Sequence, residues 1–297
     1  MNMGKEIRGR IIKAIGGFYY VEAAGTVYEC RARGVFRKKN MSPLVGDLVT
    51  AVVLEDGTGT VSEITPRKNQ LVRPPIANLD QLILVVSICD PAPSTLVIDK
   101  MIAAAEEQGI EPVLVVSKTD LQDAGWLRAI YEKAGIPFYA VSSVTGEGVE
   151  AVRPLLQGKI TAFTGNTGAG KSSLLNCIDP AFGLATGEIS QKLGRGRHTT
   201  RHVELLPVEG GYVADTPGFS FIQIERYNMV KKEDLQFCFR EFAPYLQSCR
   251  FVSCSHVKEK GCAVLEAVEK GQISPSRHES YVAMYNEVKD IKEWQLK

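Results

Sequence analysis

The stretch Gly165-Asn166-Thr167-Gly168-Ala169-Gly170-Lys171-Ser172-Ser173 constrains the fold more than any other part of the chain. Its spacing of glycine, four residues, glycine, lysine and serine is that of a loop that wraps a phosphate group. KITAFT before it reads as a strand and SSLLNCI after it as a helix, which is the setting such a loop requires. Side chains at Gly168 and Gly170 would obstruct the close approach of backbone to phosphate oxygens. Backbone amides and the helix N-terminus then face the anion. Lys171 is placed to reach the β- and γ-phosphates, and the Ser172 hydroxyl to ligate Mg²⁺.

The surrounding sequence fits a mostly parallel sheet covered on both faces. LDQLILVVSI, EPVLVVSK, PFYAVSS and KITAFTG are apolar runs rich in Val, Ile and Leu. Helical stretches lie between them, at Thr95 to Gln108, Ala124 to Ala134 and Gly148 to Gln157. Ligands collect at the strand ends of such sheets. SKTD ends one of these strands with Ser117, Lys118, Thr119 and Asp120. The Asp120 carboxylate can accept two hydrogen bonds from the N1–H and exocyclic amine of guanine, a donor pair that adenine lacks. Lys118 would lie along the base. Ser142 and Ser143 open SSVTGEG at the next strand end, where backbone groups can meet the guanine carbonyl. After the phosphate loop comes DTPG, in which Asp215 is placed for the Mg²⁺ shell and the Gly218 amide for the γ-phosphate. Between them GRGRHTTR (194–201) is glycine-rich and basic, with Thr199 or Thr200 as further metal-shell candidates. The order along the chain is base, base, phosphate, metal. In ordinary GTP-binding folds the phosphate loop comes first.

Two other regions flank this sheet. Residues 7 to 64 read as five short strands broken by Gly16-Gly17, Ala24-Gly25 and Asp56-Gly57, consistent with a small OB-like barrel. Nine Lys and Arg against three Glu within residues 1 to 40 make a candidate polyanion footprint, or a solvated basic edge. PRKNQLVRPP (66–75) reads as a linker. The expected domains are 1–68, 69–225 and 226–297, the last holding polar helical sequence. The chain has seven cysteines. Cys30, Cys89, Cys177 and Cys238 fall singly in strand- or helix-like sequence and read as core. Cys249, Cys254, His256 and Cys262 cluster, and three thiolates with one imidazole suit a structural Zn²⁺; buried free thiols are the alternative. The longest apolar run is too short to span a bilayer, and no signal-peptide stretch opens the chain, so a cytoplasmic protein without membrane contact is expected.

The motif set resembles that of a translation-factor-class GTPase in circularly permuted order. With a barrel in front and a Cys/His tail behind, the whole chain resembles the ribosome small-subunit-dependent GTPase A family. The resemblance implies GTP/GDP and Mg²⁺ as ligands, a Cys₃His zinc site, and a monomer that binds the small ribosomal subunit and its rRNA. It implies slow GTP hydrolysis, stimulated by the subunit, during late subunit maturation. It also supports His198 as the group that positions water, since Phe219 stands where many small GTPases have glutamine. The family's base motif usually begins with Asn, and Ser117 loses an amide contact; Thr167 stands where Ser is common. The residues alone leave open a GTPase acting on tRNA or another RNA, an RNA-binding module with a non-catalytic pocket, and an ATP-using factor.

Overall fold

The structure is a computed structural model that describes residues 4–34, 36, 41–71, 74–184, 203–215 and 230–291. The chain divides into two compact units. The first comprises residues 1–81, 153–163 and 187–222, and the second residues 82–152, 164–186 and 223–297.

In the first unit the five expected strands form: β1 (Lys5–Ile15), β2 (Phe18–Ala23), β3 (Thr26–Ala32), β4 (Leu48–Val53) and β5 (Thr58–Ile64). They are ordered β1-β2-β3-β5-β4, and β4 pairs back onto β1. Length lets β1 serve both neighbours. Lys5 to Arg10 pair with β4, Arg10 to Ile15 with β2, and the register shifts between Ile11 and Lys13. A shift of this kind bends the strand, and the closed ring removes exposed edges. Gly9 lies where β1 passes close to β2; a Cβ there would stand 2.3 Å from the Glu22 carbonyl oxygen. Ile11, Val21, Cys30, Val49, Ala51 and Val61 fill the interior.

The expected linker is tied to the barrel. The Arg67 guanidinium meets the buried Asp47 carboxylate at 2.7 and 2.8 Å, and β6 (Gln70–Leu71) pairs with β7 (Ile76–Ala77). The unit also holds most of β11 (Ile160–Thr164), with β12 (Glu204–Val208) and β13 (Gly211–Asp215). β12 and β13 form a hairpin whose two turn residues, Glu209 and Gly210, have φ of 50° and 73°. Paired positive-φ residues match the right-handed strand twist. β13 continues in parallel onto β11, and β12 meets β1 beside the Lys13–Glu204 ion pair.

The second unit holds β8 (Gln81–Ser87) from Leu82 onward, β9 (Glu111–Ser117) and β10 (Phe138–Ala140), in the order β10-β9-β8 with β9 and β10 parallel. Its helices include α1 (Thr95–Glu107), α2 (Gly125–Lys133), α3 (Val149–Val152) and α4 (Lys171–Ile178). The helix expected over Gly148 to Gln157 is shorter. Pro154 has no N–H to return to Glu150, and the chain tightens into a 3₁₀ turn at Arg153–Leu156. The C-terminal segment carries its α-helices after the Cys/His cluster, in the expected order. From Val230 to Cys262 its only helical elements are 3₁₀ turns, and the α-helices are α5 (Ala263–Glu269) and α6 (Pro275–Val288). These turns wrap an aromatic core in which Tyr281 packs edge-on against Phe239 and Phe242, with centroids 5.3 and 5.0 Å apart. Cys30 and Cys238 are buried as expected. Cys89 and Cys177 are only partly buried, because Cys89 lies in the loop beyond β8 and Cys177 is on the less buried side of α4.

Candidate functional site

The phosphate loop links β11 to α4. Gly165, Gly168 and Gly170 all have positive φ, at 142°, 82° and 86°. Space is tightest at Gly165, where a Cβ would stand 2.0 Å from the Val85 carbonyl oxygen. At Gly168 and Gly170 the nearest atoms are 3.6 and 3.4 Å away, so there it is conformation rather than room that excludes a side chain. Gly170 caps α4 without a side-chain hydrogen bond, which leaves the first helix amides available to an anion. Asn166, Thr167 and Gly168 are exposed, Ala169 is buried, and Ser172 and Ser173 are half-buried. Lys171 is buried and folds back over the loop, its Nζ donating to the carbonyls of Gly165 and Asn166 at 2.7 Å each. Burial lowers its pKa to about 8.

The base motif is bonded to this loop. Ser117, at the end of β9, donates its hydroxyl to the Ala169 carbonyl at 2.7 Å. Serine thus reaches the phosphate loop at the position where the resemblance implied a lost amide contact. Lys118 turns the chain with φ of 61° and donates its Nζ to the Asp90 carbonyl. The Thr119 amide donates to Val141, and Asp120 is exposed at the start of the following turn. Past β10, the buried Ser142 hydroxyl accepts from the amides of Val144 and Thr145 at 3.3 and 3.2 Å, and its carbonyl accepts from Gly146. The Cys177 thiol of α4 reaches the Ser143 carbonyl at 3.5 Å. The structure therefore brings the SKTD, SSV and phosphate-loop segments together within one unit. Asp215 ends β13 in the other unit. The Asp215 side chain, Gly218, and the 194–201 loop with His198, Thr199 and Thr200 lie outside the described residues.

The sequence reading missed the loop after β8. Asp90 accepts from Lys118, and the Pro91 ring is the group nearest the space above Gly168. The signal was present in DPAP, a turn-forming stretch at the end of a parallel strand.

The Cys/His cluster is compact. The sulfurs of Cys249, Cys254 and Cys262 and one nitrogen of His256 all lie within 4.8 Å of one another. Cys249 and Cys262 sulfurs are 3.9 Å apart, and His256 Nδ1 stands 3.5 and 3.4 Å from them. Sulfurs on a tetrahedral zinc with Zn–S of about 2.3 Å would be about 3.8 Å apart, so the donor set fits that ion. His256 Nε2 bonds Gln236 Oε1 at 2.9 Å, which turns Nδ1 toward the sulfurs. Burial lowers the His256 pKa and favours the neutral, ligating form. Burial and the neighbouring thiols push Cys254 up to about 12, and a bound cation would reverse that cost. Gln236, and His278 donating to the His256 carbonyl at 2.7 Å, have no signal in sequence spacing.

The family model described as RsgA GTPase matches residues 64–225, and the one described as the RsgA N-terminal domain matches residues 8–61. The chain belongs to the RsgA GTPase family. Relatives include the small ribosomal subunit biogenesis GTPases RsgA of Caldanaerobacter subterraneus subsp. tengcongensis and Geobacillus thermodenitrificans. They are 48% and 45% identical; each alignment covers 96% of this chain, and 97% and 98% of the respective relative. Among solved structures, YjeQ from Thermotoga maritima is 38% identical with a TM-score of 0.84, covering 97% of this chain and all of that one. YloQ, described as a circularly permuted GTPase, is 37% identical with a TM-score of 0.82, over 98% and 97% of the two chains. This RsgA-family chain is a GTP hydrolase with a circularly permuted GTPase fold and an N-terminal five-stranded barrel. The family implies GTP, GDP and Mg²⁺ as its ligands, and the Cys₃His cluster is compatible with zinc. Among the described residues no helix is long and apolar enough to cross a membrane.

Proposed function

We propose that this chain is a small-subunit maturation factor: a cytoplasmic monomer that binds the small ribosomal subunit and its rRNA and hydrolyses GTP when seated there. The names of its relatives, at 45–48% identity over nearly their whole length, support this reading. The observation that carries the nucleotide part is the Ser117–Ala169 hydrogen bond, which joins the base-reading strand end to the phosphate loop.

Asp120 reads guanine, with Lys118 and Thr119 beside the base and the Ser142–Ser143 backbone at its carbonyl. The loop amides from Asn166 to Ser173 hold the phosphates. Lys171 exchanges the carbonyls of Gly165 and Asn166 for phosphate oxygens and offsets the charge that develops as water attacks the γ-phosphorus in line. Mg²⁺, when bound, neutralises phosphate charge; Ser172, Asp215, and Thr199 or Thr200 are its protein ligands. Gly218 senses the γ-phosphate, and His198 positions water. Residues 1–68 and 226–297 are the RNA-binding flanks of the GTPase domain at 69–225. On the barrel Lys5, Arg8, Arg31 and Arg33 are exposed, whereas Lys13 pairs with Glu204 and Arg10 bonds the Gly46 carbonyl. Zn²⁺, held by Cys249, Cys254, His256 and Cys262, fixes the C-terminal module.

The test is phosphate release from GTP and ATP, with and without small ribosomal subunits. Subunit-stimulated release from GTP alone is expected, with His198→Ala lowering turnover far more than GDP affinity. Release that subunits leave unchanged would overturn the ribosomal reading, and equal use of ATP would remove Asp120 as the base reader.

A further inference from the structure

The C-terminal module grips α1 at both ends. Near its start, Asp99 Oδ1 accepts from Arg277 Nη1 of α6 at 2.7 Å, and the same guanidinium bonds both oxygens of Glu241 at 2.7 and 3.1 Å. All three side chains are essentially out of solvent, with Arg277 lying 4.5 Å over the Phe239 ring. Near its end, Glu106 meets Arg240, which also bonds Glu111 and the Gly135 carbonyl. Between them Lys100 pairs with Glu287 of α6.

This junction is poorly suited to stability alone. The cluster also takes in the buried Tyr131 hydroxyl and Ser280, both beside Asp99, so charged and polar groups fill a space that apolar side chains could occupy. Buried ion clusters of this kind are often replaced by apolar side chains with no loss of stability, yet apolar packing tolerates sliding where a forked salt bridge admits one register. What the register controls is visible at the helix N-terminus. Residues 88–94 lead directly into α1, and within them Asp90 accepts from Lys118 and from the Ser87 hydroxyl, while Pro91 lies over Gly168.

We propose that Arg277 is a positioning residue for the nucleotide site, acting through Asp99 and α1 on the 88–94 loop and so on Lys118 and Gly168. This rests on the GTPase reading above. Coupling between two sites is reciprocal, so nucleotide exchange alters the seating of the C-terminal module and a ligand of that module alters nucleotide exchange.

The test is Asp99→Leu/Glu241→Leu/Arg277→Met in the full chain, compared with wild type for zinc content, thermal midpoint and dissociation rate of a fluorescent GDP. Retained zinc, an unchanged or raised midpoint, and GDP release faster by about tenfold are expected. A folded, zinc-loaded variant with wild-type GDP release would overturn the proposal. A second measurement avoids mutation. In wild type, GDP should slow amide hydrogen exchange in α1 and α6 as well as in the phosphate loop. Protection confined to the loop, or a variant that fails to fold beside such confined protection, overturns the coupling. Wild-type protein that binds no GDP would instead sink the GTPase reading.

Discussion

The phosphate loop and the Cys/His cluster lie in the same unit and are built in opposite ways. The loop is a main-chain object. Three positive-φ glycines shape it, a strand and a helix bracket it, and Ser117 and Lys171 bond its carbonyls. The cluster is a side-chain object. Its four donors sit among 3₁₀ turns and irregular backbone, and burial, with the neighbouring thiols, opposes ionisation of Cys254. The first site carries its shape in backbone geometry; the second takes much of its stability from the ion it suits.

Removing donors should therefore have the largest effect of any change. Cys249→Ser/Cys262→Ser is expected to abolish zinc binding and the fixed packing of Phe239, Phe242 and Tyr281, since structural zinc contributes on the order of 10 kcal/mol to small folds of this type. Metal analysis and near-ultraviolet circular dichroism read both. Stoichiometric zinc in that variant would discard the assignment and, with it, the contrast between the two sites.

The loop should break next, and for a different reason. Gly165→Ala places a methyl 2.0 Å from the Val85 carbonyl oxygen at φ of 142°. The backbone must move, at about 3 kcal/mol, which is roughly a hundredfold in GDP affinity. Titration calorimetry should show that loss while zinc content stays at the wild-type level. Wild-type affinity in this variant would mean that the loop is softer than its hydrogen bonds indicate.

Sequence legibility follows the same division. Glycine spacing announced the phosphate loop because positive φ permits few alternatives at those positions, and the barrel strands followed from alternation and turn pairs. The Cys/His cluster and the polar helical sequence after it were legible from residue types, whereas the 3₁₀ turns between Val230 and Cys262 and the aromatic core they wrap have no one-dimensional signal. Ser117 read as a weakened base contact because its hydrogen-bond acceptor, Ala169, is 52 residues away. The role of Arg277 was invisible for a like reason: a charged residue in a helix looks solvent-exposed until Asp99, 178 positions earlier, is found beside it.

A smaller effect tests the support around the cluster. Gln236→Leu leaves His256 Nε2 without its acceptor and frees the ring to turn, with zinc affinity expected to fall about ten- to a hundredfold and GDP affinity to stay level. A chelator competition measures the first. Unchanged zinc affinity would show that the ligands are oriented by the backbone alone, which would make the two sites more alike than their hydrogen bonds suggest.

The smallest predicted effect comes from pH and bears on the loop. Lys171 is buried against two carbonyls, and that burial lowers its pKa to about 8. Phosphates favour the charged ammonium, so its pKa rises on binding, and GDP binding takes up a proton wherever the free lysine is neutral. The sign follows: affinity is full below about pH 8 and weakens as pH rises through it. Between pH 7 and 9 the loss should be about tenfold, since near pH 9 about one site in ten would still hold the proton. Lys171→Met should bind GDP weakly and remove this component of the pH dependence. Zinc content should stay at the wild-type level across the same range, because binding the ion displaces thiol protons and so strengthens as pH rises. A wild-type GDP affinity constant from pH 7 to 9 would mean that Lys171 stays charged in the empty loop, and that the folded-back lysine is an ordinary ammonium satisfied by its two carbonyls.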